Sequence, residues 1–146
     1  MRFVVDCNAY VVLVQSNDAK IAAIRRAEAG DIEFLMTHLQ WDEIACLDDR
    51  DIRMSICDIP RRNVPTHRVI RELSRAGGQG ATETPTQLPG MNDRIWQSDF
   101  LISVTAQYDD AVLVTDDTEI ARRARVDRVE VWPTSRLEAF LLRDGG

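Results

Sequence analysis

Three residue types that usually announce a binding site or a secreted scaffold are scarce in this 146-residue chain: three cysteines, two histidines and one lysine. Cys7, Cys46 and Cys57 form no Cys-x-x-Cys pair, and His38 and His67 stand outside any zinc-ligand spacing. A structural zinc site and a disulfide framework are therefore not expected, and reduced thiols point to a cytoplasmic setting. No apolar run approaches the roughly 20 residues that span a bilayer. The opening MRFVVDCNAY reaches an acid at Asp6 and lacks the long apolar stretch of a signal peptide. Proline and glycine together occupy 12 positions, five and seven, too few for a disordered or repetitive chain.

What is present is an ordinary globular balance, 45% hydrophobic and 29% charged, enough for one domain spanning 1–146. The formal net charge is −6. Sixteen Asp and eight Glu face seventeen Arg and the lone Lys20, and arginine presents the planar fork that suits phosphate. Net charge alone does not decide whether nucleic acid is the partner.

Hydrophobic patterning predicts an alternation of strands and helices. Residues 2–5 form a short buried strand that closes at Asp6, and 32–36 a second. Asn17 and Asp18 cap a helix running through Ala27, with Gly30 as its stop. Thr37 caps a helix from His38 to about Arg50, and Pro60 and Pro65 break the chain. Thr66 caps a helix to Ala76, followed by a long loop over 77–90. A helix is expected over 92–107, a strand over 111–115, a helix over 117–125 and a strand over 129–132. Ser135 and Glu138 have capping-box spacing for a last helix. The alternation implies a three-layer α/β/α fold around a mainly parallel sheet of four or five strands.

Ligands of such sheets bind beyond the carboxyl ends of the strands. Asp6 closes the first strand there, and Asp116 and Asp117 follow VLVT. Glu43 lies on the helix after the second strand, and Asp99 lies among Ile95, Ile102 and Ala106 on the 92–107 helix. Singly, each has an ordinary reading: Asp117 or Asp116 caps a helix, Asp6 makes a turn, and Glu43 is a solvated helix residue. Together they form a set of hard oxygen donors of the kind that binds magnesium with water and substrate phosphate.

The segments FVVDCNAYVV, THLQWDEI and SDFLISVTAQYDDAVLVTDD, in that order, resemble the motifs of PIN-domain nucleases, and the length and order are similar to the VapC branch of small toxin-type ribonucleases. The resemblance implies a PIN-like domain and a Mg²⁺- or Mn²⁺-dependent endoribonuclease with Asp6, Glu43, Asp99 and Asp117 as acidic ligands. Asn8 and Thr115 would be supporting polar groups, and Asp93 and Asp116 additional acids near the metal. Cys7 stands where the family carries a hydroxyl residue. The resemblance also implies RNA as substrate, an antitoxin protein as partner in a toxin–antitoxin pair, and a homodimer, with a housekeeping RNA-processing nuclease as the other PIN reading. Arg61, Arg62, Arg68, Arg71 and Arg75 form one candidate RNA-binding group, and Arg122 and Arg123, with Arg125 and Arg128 close by, a second. Arginines at helix ends also serve simple charge compensation. Trp41 and Trp96, near the acids in sequence, are expected in the core.

Two readings of other kinds share strand-end acids. A haloacid-dehalogenase-type phosphatase would carry Asp or Thr where Asn8 stands, and it and a phosphotransfer receiver would both carry a lysine near the acids, whereas Lys20 lies outside them. A non-catalytic PIN-like binding module would keep the fold without the chemistry.

Overall fold

The computed structural model describes residues 1–65 and 94–143, with side chains given except at 94–99. The predicted helix over 66–76 with Arg68, Arg71 and Arg75, the loop over 77–90, and Asp93 lie outside the described residues. The elements in chain order are β1 (Arg2–Val5), α1 (Cys7–Gln15), α2 (Asn17–Glu28), β2 (Glu33–Thr37), α3 (His38–Ala45), α4 (Arg50–Cys57), β3 (Arg62–Val64), α5 (Arg94–Tyr108), β4 (Val112–Val114), α6 (Thr118–Val126), β5 (Val131–Trp132) and α7 (Thr134–Leu142). No described helix is long and apolar enough to cross a membrane.

The five strands form one parallel sheet in the order β3-β2-β1-β4-β5. Side chains of a strand alternate between faces, and here each face has its own core. Phe3, Val5, Phe34, Met36, Val112, Val114 and Trp132 pack on one side with α1, α2, α7, Ile44 of α3 and Ile56 of α4. Val4, Leu35, Val64 and Leu113 pack on the other, against Leu101, Ile102, Val104 and Ala106 of α5 and Ile120 and Ala124 of α6. The result is the expected three-layer α/β/α sandwich. The strands, buried on both faces, read as unbroken apolar runs, as parallel strands do.

Several local expectations are corrected. Residues 7–15, unassigned from sequence, form α1: Val11, Val12 and Val14 are poor helix signals, but Cys7, Tyr10 and Leu13 recur at helical spacing on the buried face. Ser16, rather than Asn17 or Asp18, caps α2 by accepting from the Ala19 amide. The helix expected over 38–50 stops at Ala45, and a second, α4, begins at Arg50. Asp49 starts the second by accepting from the Ile52 amide at 3.1 Å, and the Arg53 guanidinium donates to the Leu47 carbonyl at 2.6 Å across the bend. Pro60 and Pro65 flank a strand, β3. The Ser135–Glu138 capping box does not form, because α7 begins one residue earlier, at Thr134, and takes its cap from Asp116 far along the chain.

α2, α5 and α6 each end in a residue with positive φ: Gly30 at 80°, Asp110 at 50° and Arg128 at 62°. After each, an amide reaches back five residues, Asp31 to Arg26, Ala111 to Ala106 and Val129 to Ala124, satisfying helix-end carbonyls before a strand starts. Glycine takes this conformation freely, whereas a side chain such as Arg128's costs about 1–2 kcal/mol there. Since glycine also gives up about 0.5–1 kcal/mol of chain entropy, Arg128→Gly is expected to stabilise the fold by roughly 0.5–1 kcal/mol, seen as a higher urea midpoint at unchanged slope.

Candidate functional site

β1 and β4 are neighbours, and the chain leaves them in opposite directions, β1 toward β2 and β4 toward β5. Such a point opens a crevice at the carboxyl edge of the sheet. The register pairs Val5 with Val114, so the residues that follow, Asp6 and Thr115, meet at that crevice. The Asp6 amide donates to the Val114 carbonyl at 2.9 Å, and the Thr115 hydroxyl donates to Asp6 Oδ2 at 3.1 Å. The same hydroxyl accepts from the Asp117 amide at 3.1 Å, so one buried threonine orients both acids.

Asp6 is only 7% exposed although it stands at a strand end. Burial is the largest influence on its carboxyl and raises its pKa above the ordinary aspartate value. The Thr115 hydroxyl and the Cys7 amide pull the other way, while the negative charges of Glu43 and Asp117 raise it further. Glu43 and Asp117, 37 and 111 residues away in the chain, are thus within electrostatic reach of Asp6.

Asp117 also caps α6, Oδ1 accepting from the Glu119 amide at 2.8 Å and the Ile120 amide at 3.1 Å. The capping reading and the site reading are therefore compatible, since one carboxylate oxygen serves the helix. Asp116 is engaged elsewhere, with Oδ1 accepting from the Thr134 amide at 2.9 Å and Oδ2 from the Thr134 hydroxyl at 2.6 Å. Both of its oxygens hold the start of α7.

Asp99 is placed by the backbone of α5. The end of that helix lies at the opposite, amino edge, where the Arg2 guanidinium donates to the Asp109 carbonyl at 3.1 Å and Arg62 approaches the Asp109 carboxylate at 3.8 Å. Ten residues back along an α-helix is about 15 Å, and the four steps from Arg2 to Asp6 along a strand are about 13 Å. Asp99 therefore lies toward the carboxyl-edge half of α5, the helix that packs across β1, β2 and β4.

The remaining predicted residues are dispersed. Asn8 is exposed in the first turn of α1. Arg61 stacks on the Trp41 ring at 4.2 Å and donates to the Cys57 and Ile59 carbonyls. Arg62 is bound to Glu33 at 2.7 Å, which lowers the Glu33 pKa through that hydrogen bond and raises that of Arg62. Arg122 pairs with Glu119 at 3.1 Å on the exposed face of α6, and Arg123 is half-buried on the same helix. Trp41 is half-buried against the core. A cavity of about 240 Å³ lined by Glu33, Phe34, Arg61 and Arg62 among others does not include Asp6, Glu43, Asp99 or Asp117.

One contributor went unread in the sequence. Gln40, fully buried, completes a capping box with Thr37 at the start of α3, and its side-chain amide donates to the Val5 carbonyl at 2.7 Å. The Thr-x-x-Gln spacing was the available signal.

No family model matches this sequence, and no curated protein does. Among solved structures, a PilT N-terminus domain protein from the hyperthermophilic archaeon Sulfolobus solfataricus P2 superposes with a TM-score of 0.60 at 15% identity, covering 98% of this chain and 95% of that one. The chain has the PIN fold. VapBC2 from Rickettsia felis bound to a DNA fragment from its promoter gives 0.50 at 12% identity, covering 91% and 98%. FitAcB from Neisseria gonorrhoeae gives 0.45 at 13% over the same shares. At these identities the likeness concerns the PIN fold itself, and the chemistry rests on the residues.

Those residues offer hard oxygen donors, and the charges of Glu43 and Asp117 add to the burial that opposes ionised Asp6, a tension that a cation relieves. Among the described residues, no three His, Cys, Asp or Glu side chains gather closely enough to share one ion. Magnesium takes one or two carboxylates and keeps several waters, so Asp6 with Asp117 or Glu43 fits its requirements.

Two outcomes follow from the site. Folded Asp6 holds its proton more tightly than the unfolded chain does, so stability is greatest below the unfolded pKa, near 3.9, and is lost as pH rises through the raised folded value. Asp6→Asn is expected to be more stable than the parent at pH 7 without metal, the gap closing below about pH 4 in urea titrations across pH. Asp116→Ala removes a helix cap and is expected to cost roughly 1 kcal/mol, measured by the same titrations at pH 7.

Proposed function

We propose that this chain is a divalent-metal-dependent endoribonuclease, hydrolysing RNA phosphodiester bonds at the carboxyl edge of its sheet. The observation that carries the reading is the buried carboxylate of Asp6, held by Thr115 and repelled by Glu43 and Asp117. A buried, destabilised acid has a cost in stability that folding alone does not require, and such groups concentrate at functional sites.

In this reading Asp6 is the fixed ligand, its second oxygen oriented by the Thr115 hydroxyl. Asp117 contributes the oxygen that α6 does not use. Glu43 and Asp99, from α3 and α5, complete the acidic rim, and Asn8 adds a polar group beside Asp6. Mg²⁺ or Mn²⁺, when bound, supplies charge neutralisation and a water of lowered pKa. The acids orient that water toward the phosphorus, and one of them takes its proton. Asp116 is secondary, because Thr134 occupies both of its oxygens. Arg122 and Arg123 on α6, the helix that Asp117 caps, would contact phosphates that approach this edge.

The Rickettsia felis structure is a VapBC2 complex on promoter DNA. We extend the likeness to a toxin role for this chain, with a small antitoxin partner and a homodimer. Cys7, Cys46 and Cys57 form no disulfide, which is consistent with the cytoplasm.

The test is cleavage of a mixed RNA pool. Activity is expected to require Mg²⁺ or Mn²⁺ and to vanish in excess EDTA. Asp6→Asn and Asp99→Asn should each lower it by at least about 100-fold, beyond the 10–100-fold typical of groups that merely support a ligand, while still melting cooperatively. Full activity in EDTA, or an unimpaired Asp6→Asn variant, would refute the proposal.

A further inference from the structure

α3 carries Glu43, and β1 ends at Asp6. A single side chain, that of Gln40, joins the two elements across 35 residues of sequence. Gln40 is fully buried. Its Oε1 accepts from the Thr37 amide at 2.9 Å, and its own amide donates to Thr37 Oγ1 at 3.2 Å, closing the capping box. Its Nε2 donates to the Val5 carbonyl at 2.7 Å, and its carbonyl accepts from the Cys7 thiol at 3.6 Å. Gln40 therefore grips the chain immediately before and immediately after Asp6. Glu43 follows three residues later, one helical turn along.

We propose that Gln40 is a positioning residue, setting the separation of Asp6 and Glu43 by binding both flanks of the first and the helix start of the second. The residue type carries the argument. A capping box accepts Glu as well as Gln at this position, because only an acceptor oxygen is needed there. Glutamate has no proton to donate to the Val5 carbonyl and would bury a charge against that oxygen and beside Asp6. Only glutamine satisfies the helix start and the strand end together. The Cys7 thiol adds a second tie, to the main-chain carbonyl of residue 40, which does not depend on the side chain there; the side-chain bond to Val5 is the one that needs glutamine.

This inference rests on the metal-site reading above, and its test is arranged so that the two can fail separately. Gln40→Met keeps the volume and removes both polar groups, and Gln40→Glu keeps the cap and removes the donor. Asp49→Ala, which uncaps α4 away from the site, serves as a control for lost stability alone. All are studied as the full chain, at a temperature where each is folded. Mn²⁺ binding is followed by calorimetry and by the metal-induced rise in melting temperature, alongside Mn²⁺-dependent RNA cleavage.

Both Gln40 variants are expected to weaken Mn²⁺ binding by about 10–100-fold, as outer-shell partners of ligands do, and to raise the Mn²⁺ needed for half-maximal cleavage without changing the KM for RNA. Asp49→Ala should lower the metal-free melting temperature and leave Mn²⁺ affinity unchanged. Unchanged Mn²⁺ affinity in a folded Gln40→Met variant overturns the inference. If the parent binds Mn²⁺ but cleaves no RNA, the ribonuclease reading fails and the affinity comparison still decides the role of Gln40. If the parent binds no metal, both fall, and crystal structures with an identical Asp6–Glu43 separation in parent and Gln40→Met remove the positioning role independently.

Discussion

A carboxylate enclosed between a sheet and its helices, with two further acids close enough to repel it, is the constraint around which this molecule is arranged. Asp6 cannot relax toward solvent, because β1 is the central strand and both of its faces are covered. Its ionised form is opposed first by burial and then by Glu43 and Asp117, and supported by one hydroxyl and one amide. A structure selected for stability alone would replace it. The Thr115 hydroxyl and the Cys7 amide hold that carboxylate in place against the repulsion of Glu43 and Asp117.

Those supports are distributed by element. Thr115 links the ends of β1 and β4 and bonds to the amide of Asp117. Asp117 uses one carboxylate oxygen to hold the α6 start. Asp116, its neighbour in sequence, serves α7 instead, so two adjacent acids on one strand end have separate duties. Gln40 anchors α3 to β1 from the other side. The site is thus built from helix starts, where unpaired amides are available to orient carboxylates, brought to one edge by a parallel sheet whose helices return the chain to the amino edge each time. The left-handed residues Gly30, Asp110 and Arg128 at those returns are the local cost of making the turns short.

Much of the architecture could be read from residues near one another. The strands are apolar runs of the right length, and the helices over 17–28, 94–108 and 118–126 have clear starts or stops. Local preference misled where tertiary context opposed it. Val11, Val12 and Val14 mask α1, whose helical form is set by burying Cys7, Tyr10 and Leu13 in the core that β1 and α4 share. The polar run around Asp48 and Asp49 looked like a continuation of α3 and is the joint between two helices. Thr134 outcompeted Ser135 for the start of α7 because Asp116, 18 residues back, reaches it. Arg61 and Arg62, grouped by sequence as a basic patch, are occupied by Trp41, Glu33 and Asp109.

By itself the chain determined most of its strands and helices, their alternation, the parallel sheet and the acids that stand at strand ends, because these depend on period, caps and chain direction; α1, β3 and the break between α3 and α4 were not among them. Tertiary structure decided the strand order that makes β1 and β4 neighbours, and with it the meeting of Asp6, Thr115 and Asp117. It also decided which adjacent acid faces the crevice, which arginines are already paired, and that Gln40 spans from α3 to β1. The physical reason is range: propensity and capping act over a few residues, whereas the burial, repulsion and hydrogen bonds that define the site act across gaps of 33 to 111 residues that only folding closes.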